Sequence, residues 1–135
     1  MDTQSRELNI GWIPASGFQL RKAGVQFDAV RIEGEEGRRV AETLEAMTGG
    51  DPGPIVVESK GVRAVYFLVP AGSTSFRPWP RGVTTFNSGP GKVSYVPVPA
   101  LSGETWPVAW WRPPIGEDRF VHPVLLKCVA EGVLV

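Results

Sequence analysis

Two apolar runs, Ile55-Val56-Val57-Glu58 and Val62–Val69 (VRAVYFLV), are separated only by Ser59-Lys60-Gly61. β-Branched and aromatic side chains suit a pleated, half-buried surface, and a short turn between two such runs predicts an antiparallel hairpin. The first run is almost wholly apolar, which predicts a strand covered on both faces. A sheet built on this hairpin is the strongest constraint on what the chain can become.

The flanking segments extend that sheet. Val25–Ile32 (VQFDAVRI) predicts a strand before the hairpin. Val83–Phe86, Lys92–Val98 (KVSYVPV) and Thr105–Arg112 (TWPVAWWR) predict strands after it. Pro97 lacks an amide hydrogen and assigns its strand to an edge or an exit from the sheet. Arg38–Met47 places Val40, Ala41, Leu44 and Met47 on one face at helical spacing, after a Gly34-Glu35-Glu36-Gly37 loop. Glu35 and Glu36 lie where a helix dipole favours negative charge, and Gly49-Gly50 supplies a stop. A second helix starts near His122-Pro123, presents Val124, Leu125, Cys128 and Val129, and ends at Gly132. Strand, helix, several strands and helix imply an α+β class with a mostly antiparallel sheet and two main helices. Residues 1–11 are expected to be a loose arm and residues 12–135 a single domain, a length that suits one core.

Composition narrows the function classes. The apolar runs are far shorter than the roughly 20 residues of a membrane span. Met1-Asp2-Thr3-Gln4-Ser5-Arg6-Glu7 carries acids where a secretory signal would be basic and then apolar. Cys128 is the only cysteine, so no internal disulfide can form and zinc ligands are lacking. A cytoplasmic protein without metal or other cofactor is expected, with Cys128 buried in the helix pattern. His122, the single histidine, has no nucleophile beside it in sequence, so a role at the helix start is expected. Gly89-Pro90-Gly91 has no helix after it and is expected to be a hairpin turn, not a dinucleotide loop.

Net charge is zero but unevenly spread. Residues 28–58 hold eight acids and three bases, a balance of −5, whereas residues 59–112 hold six bases and one acid, a balance of +5. Such segregation either gives one face a field suited to phosphates or is averaged away by folding. Five tryptophans are dense for this length. Trp106, Trp110 and Trp111 are expected in core or edge packing. In Arg77-Pro78-Trp79-Pro80-Arg81 an aromatic ring lies between bases, as in sites that hold single strands by stacking and phosphate neutralisation. The same segment also reads as a Pro-flanked tryptophan packed under a loop. Arg77, Trp79, Arg81 and Lys92 are therefore the candidate nucleic-acid or nucleotide contacts.

Polymerase chemistry needs two or three carboxylates around Mg²⁺ to bridge phosphates and stabilise the attacking and leaving oxygens. Acids one residue apart at a strand end would share a face. Glu58 ends a strand, but Lys60 stands two residues on; Asp28 lies within a strand and is followed by Val30. Asp28 and Glu58 are the residual acidic candidates.

Several stretches together have a familiar outline: Phe27-Asp28-Ala29-Val30-Arg31, Gly53-Pro54-Ile55-Val56-Val57, Val65-Tyr66-Phe67-Leu68-Val69-Pro70-Ala71-Gly72, Gly91-Lys92-Val93-Ser94-Tyr95-Val96-Pro97-Val98-Pro99, and Trp110 before a Pro-rich exit. Over residues 12–130 the series resembles the N-terminal domain of bacterial bifunctional DNA primase/polymerases, of the archaeo-eukaryotic primase type, and especially small stand-alone proteins related to it. The resemblance implies a primase/polymerase-like fold. It also implies two acids one residue apart at a strand end, a histidine before the next strand's aromatic pair, and a later third acid. Glu58 keeps the first acid. Lys60 replaces the second, Ala64 falls at the histidine position, and no acid occurs between Lys60 and Gly103.

The expectation is thus a catalytically inactive primase/polymerase-like domain that binds nucleic acid or nucleotide weakly. The alternative is a protein-interaction module, self-association included, that docks through the Pro/Trp-rich loop 73–91. A surviving metal-dependent nucleotidyltransferase using Asp28 and Glu58 is the least favoured.

Overall fold

The computed structural model describes residues 10–134. In chain order its elements are β1 (Phe18–Lys22), β2 (Phe27–Glu33), α1 (Gly34–Met47), β3 (Ile55–Glu58), β4 (Ala64–Pro70), β5 (Val83–Phe86), β6 (Tyr95–Pro99), β7 (Val108–Arg112) and α2 (Pro123–Val133). Five strands form an antiparallel sheet in the order β5-β2-β4-β3-β7, and β1 pairs with β6 in a second, two-stranded sheet. The fold is α+β with two helices and two antiparallel sheets.

Alternation along the strands builds a core on each face of the larger sheet. Val30 and Ile32 of β2, Val65, Phe67 and Val69 of β4, and Ile55 of β3 face α1 and α2, where Val40, Ala41, Leu44, Leu126, Val129 and Ala130 meet them. The opposite face carries Phe27, Ala29, Tyr66, Leu68 and Val56, covered by Val96 and Val98 of the smaller sheet and by Trp12. Trp12 is only 2% exposed. It stacks on Phe120 at 5.9 Å and meets Phe27 edge-on at 5.1 Å. The layers are therefore helices, five-stranded sheet, two-stranded sheet.

The central hairpin stands as expected, with β3 inside the sheet between β4 and β7. The β3 and β5 segments have their expected bounds. Pro97 of β6 lies in the two-stranded sheet opposite Leu20, where one edge needs no donor. Gly53 adopts φ +109°, and a Cβ there would approach Val121 N to 2.7 Å, so only glycine lets this turn pass under the entry to α2.

Several expectations are corrected. Helix α1 opens at Gly34, absorbing the expected loop; Gly34 has φ +72° and its amide donates to Arg63 O at 2.8 Å. Met47 does not join the buried face and is 59% exposed. In α2 the buried residues are Leu126, Val129 and Ala130, which turns Cys128 and Val124 to solvent. Trp106 is not packed in the core but 63% exposed, whereas Trp110 and Trp111 are half-buried. Most of the expected loose arm, residues 1–9, lies outside the described residues. Its last two residues are held: Ile10 is buried and Gly11 N donates to Glu117 Oε1 at 3.3 Å. Among the described residues no helix is long and apolar enough to cross a membrane.

Candidate functional site

The loop between β4 and β5 is pinned from below. Asp28, near the start of β2, shares the helix-side face with Val30 and Ile32 and is fully buried. Its Oδ2 accepts hydrogen bonds from the backbone amide of Thr74 at 3.2 Å and from Thr74 Oγ1 at 2.7 Å. Asn87, just past β5, donates from Nδ2 to Thr74 Oγ1 at 2.8 Å. Asp28 Oδ1 is buried without a hydrogen-bond partner among the described residues. A buried carboxylate is held at a cost unless donors meet it, so these bonds tie the loop to the sheet. The loop then closes on itself: Arg77 Nε donates to Ser73 O at 2.8 Å and Trp79 Nε1 to Thr74 O at 3.3 Å.

At the tip of this fixed loop Phe76 is 94% exposed. Sequence reasoning missed it. The available signal was an aromatic residue among small and polar ones, in Ser73-Thr74-Ser75-Phe76, where no strand or helix pattern gives it a core to join.

The four basic and aromatic candidates have different settings. Trp79 is half-buried against the helix-side core, so part of its ring is already covered. Arg77 is half-buried on Ser73 O. Arg81 is exposed two residues before β5. Lys92, beyond β5, is exposed and its Nζ donates to Thr85 O at 2.9 Å.

Asp28 and Glu58 are not brought together. Asp28 pairs in register with Val69 and Glu58 with Ala64, at opposite ends of β4. Five residues of strand separate them by roughly 16 Å along the sheet, and alternation puts them on opposite faces. Glu58 instead ends a polar row across the second face. Tyr66 Oη donates to Glu58 Oε1 at 3.0 Å and accepts from Arg31 Nε at 3.2 Å; Arg31 Nη1 pairs with Glu33 Oε2 at 2.6 Å. Burial, reinforced by the carboxylate of Glu58, raises the Tyr66 phenol above its usual pKa of 10.0. Burial opposes the charge on Arg31, but its bonds to Glu33 and Tyr66 outweigh that and keep it firmly protonated.

A cleft of about 570 Å³ opens where α1 begins, lined by Glu35, Arg38, Glu58, Arg63 and Trp111 among others. The Trp111 ring is fixed by its Nε1 bond to Glu45 Oε1 at 3.1 Å, and the Arg38 guanidinium lies 5.7 Å over it. The cleft carries both signs of charge in equal number. His122 caps α2: its Nδ1 accepts from Leu125 N at 3.4 Å.

No family model, curated protein or solved structure matches the chain.

Proposed function

We propose that this chain is a non-catalytic domain of primase/polymerase-like outline that works as a protein-docking module, with the Phe76-tipped loop as its contact. The exposure of Phe76 on a pinned loop carries this reading. A large apolar side chain left in water is an ordinary feature of surfaces when scattered. It is different on a loop held by a buried carboxylate, because binding then costs little further ordering, and aromatic anchors of this kind dominate interface energies. The surroundings suggest the partner's chemistry. Residues 71–92, which span the loop, β5 and the turn after it, carry Arg77, Arg81 and Lys92 and no acid. An apolar pocket rimmed by carboxylates fits that loop.

The non-catalytic part rests on Asp28 and Glu58, whose separation keeps these two carboxylates from sharing a Mg²⁺. The primase/polymerase-like part rests on the order of elements and on Glu58 at a strand end before Tyr66-Phe67. A nucleic-acid reading retains one favouring observation, the exposed Arg81 and Lys92 in the acid-free stretch. The half-covered Trp79 ring weighs against a stacking platform.

Size-exclusion chromatography of native cell extracts separates these readings. The wild-type chain is expected to elute well above its 14.6 kDa mass in a nuclease-resistant complex, and Phe76→Ala to elute as the monomer with an unchanged melting temperature. A complex dissolved by nuclease and lost in Arg81→Ala/Lys92→Ala would favour nucleic acid instead. A monomeric wild-type chain would overturn docking.

A further inference from the structure

We propose that the outer edge of β5 is a strand-addition site for an extended, acid-bearing segment of a protein partner, with Lys92 as its selective latch. This deepens the docking reading and rests on it. Strand β5 pairs with β2 on one side and ends the five-stranded sheet on the other. Lys92 Nζ donates to Thr85 O, so that carbonyl is turned away from β2. In an antiparallel strand the N–H and C=O of one residue point the same way, and residues two apart repeat the direction. Thr85 N–H and Val83 C=O therefore share the outer side. Val83 N–H is already engaged, donating to Pro80 O at 3.3 Å.

A bare row of such groups is a template for any strand, and a lysine laid along it deters unselective pairing. Here the ammonium sits on the acceptor an incoming backbone N–H needs. An incoming strand must lift Lys92 off Thr85 O and provide for its charge. A neutral strand provides nothing. A second copy of β5 brings its own Arg81 and Lys92 and adds repulsion. A strand with Glu or Asp beside the displaced ammonium gives it a carboxylate while its own N–H takes over Thr85 O. Backbone bonds then supply affinity and the carboxylate supplies selection. No acid of residues 61–103 competes for Lys92 within its own segment.

The test is an amide-resolved NMR titration of the whole chain with end-capped six-residue peptides. Alternating Glu–Val is expected to shift the amides of Thr84–Phe86 and Lys92. The same peptide N-methylated at alternate residues, and alternating Lys–Val, should not. Lys92→Gln is expected to weaken Glu–Val binding about threefold, the scale of an exposed ion pair, and to let Thr–Val bind equally well; Lys92→Arg should keep the preference. Shifts centred away from β5, equal binding of Lys–Val by the wild-type chain, or an undiminished Glu–Val preference in Lys92→Gln would overturn the proposal. Val124→Ala, on the solvent side of α2, should leave this titration unchanged. A silent edge beside an intact extract complex therefore removes this inference alone, while loss of that complex removes the docking reading.

Discussion

Asp28 was a candidate ligand by residue type, and its surroundings give it another task. It sits below Thr74 and receives two hydrogen bonds from that one residue. Thr74→Val keeps the shape, removes the hydroxyl, and leaves Asp28 with the amide bond alone while Asn87 loses its acceptor. A loss of about 1–3 kcal/mol is expected, the cost of stranding buried polar groups, measured by urea unfolding. The Phe76 amide should exchange faster with solvent in the same variant. Tyr66 supplies a second residue-scale prediction. Its raised phenol pKa means that the folded state holds the proton more tightly than the unfolded chain. That contribution is complete below pH 10 and is lost as pH rises through the folded value. Tyr66→Phe should cost about 0.5–1.5 kcal/mol at neutral pH and flatten the alkaline limb of the stability–pH curve. An unchanged limb would mean that another group governs it.

At the scale of elements, α2 separates pattern from packing. Val124, Leu125, Cys128 and Val129 form a legitimate helical stripe, yet the neighbouring stripe of Leu126, Val129 and Ala130 is the buried one. Both are apolar, and only the position of α1 and the sheet decides between them. Leu126→Ala should cost about 2–5 kcal/mol, whereas Cys128→Ser should stay within about 0.5 kcal/mol. A thiol reagent should modify Cys128 in the native state without unfolding; protection until unfolding would contradict the assigned face. The same logic explains what was legible in the sequence. β3, β4 and β5 were visible because both faces, or a clear turn, mark them. β1 was not, because Phe18 and Leu20 are 40% and 58% exposed and its partner is a strand containing proline, so no buried alternation announces it. Of the site, Arg77, Trp79, Arg81 and Lys92 could be named from composition. That Trp79 is half-covered and Phe76 is bare depends on the Asp28–Thr74 bonds, which join positions far apart in the chain.

At the scale of the whole molecule, a sheet covered by helices on one side and by a small sheet on the other holds the β4–β5 loop at one rim and the mixed-charge cleft at the other. Asp28 lies under the loop and Glu58 lines the cleft, so the distance that keeps them from sharing a metal also leaves each to a different structure. The central claim is that the Phe76 loop is where another protein binds. Its most direct test is a photo-crosslinking phenylalanine analogue placed at position 76 and, as control, at exposed position 124, in living cells. A discrete protein adduct is expected from position 76, lost on adding Arg81→Glu, and no such adduct from position 124. Adducts to nucleic acid, the same adducts from both positions, or none from position 76 would contradict it.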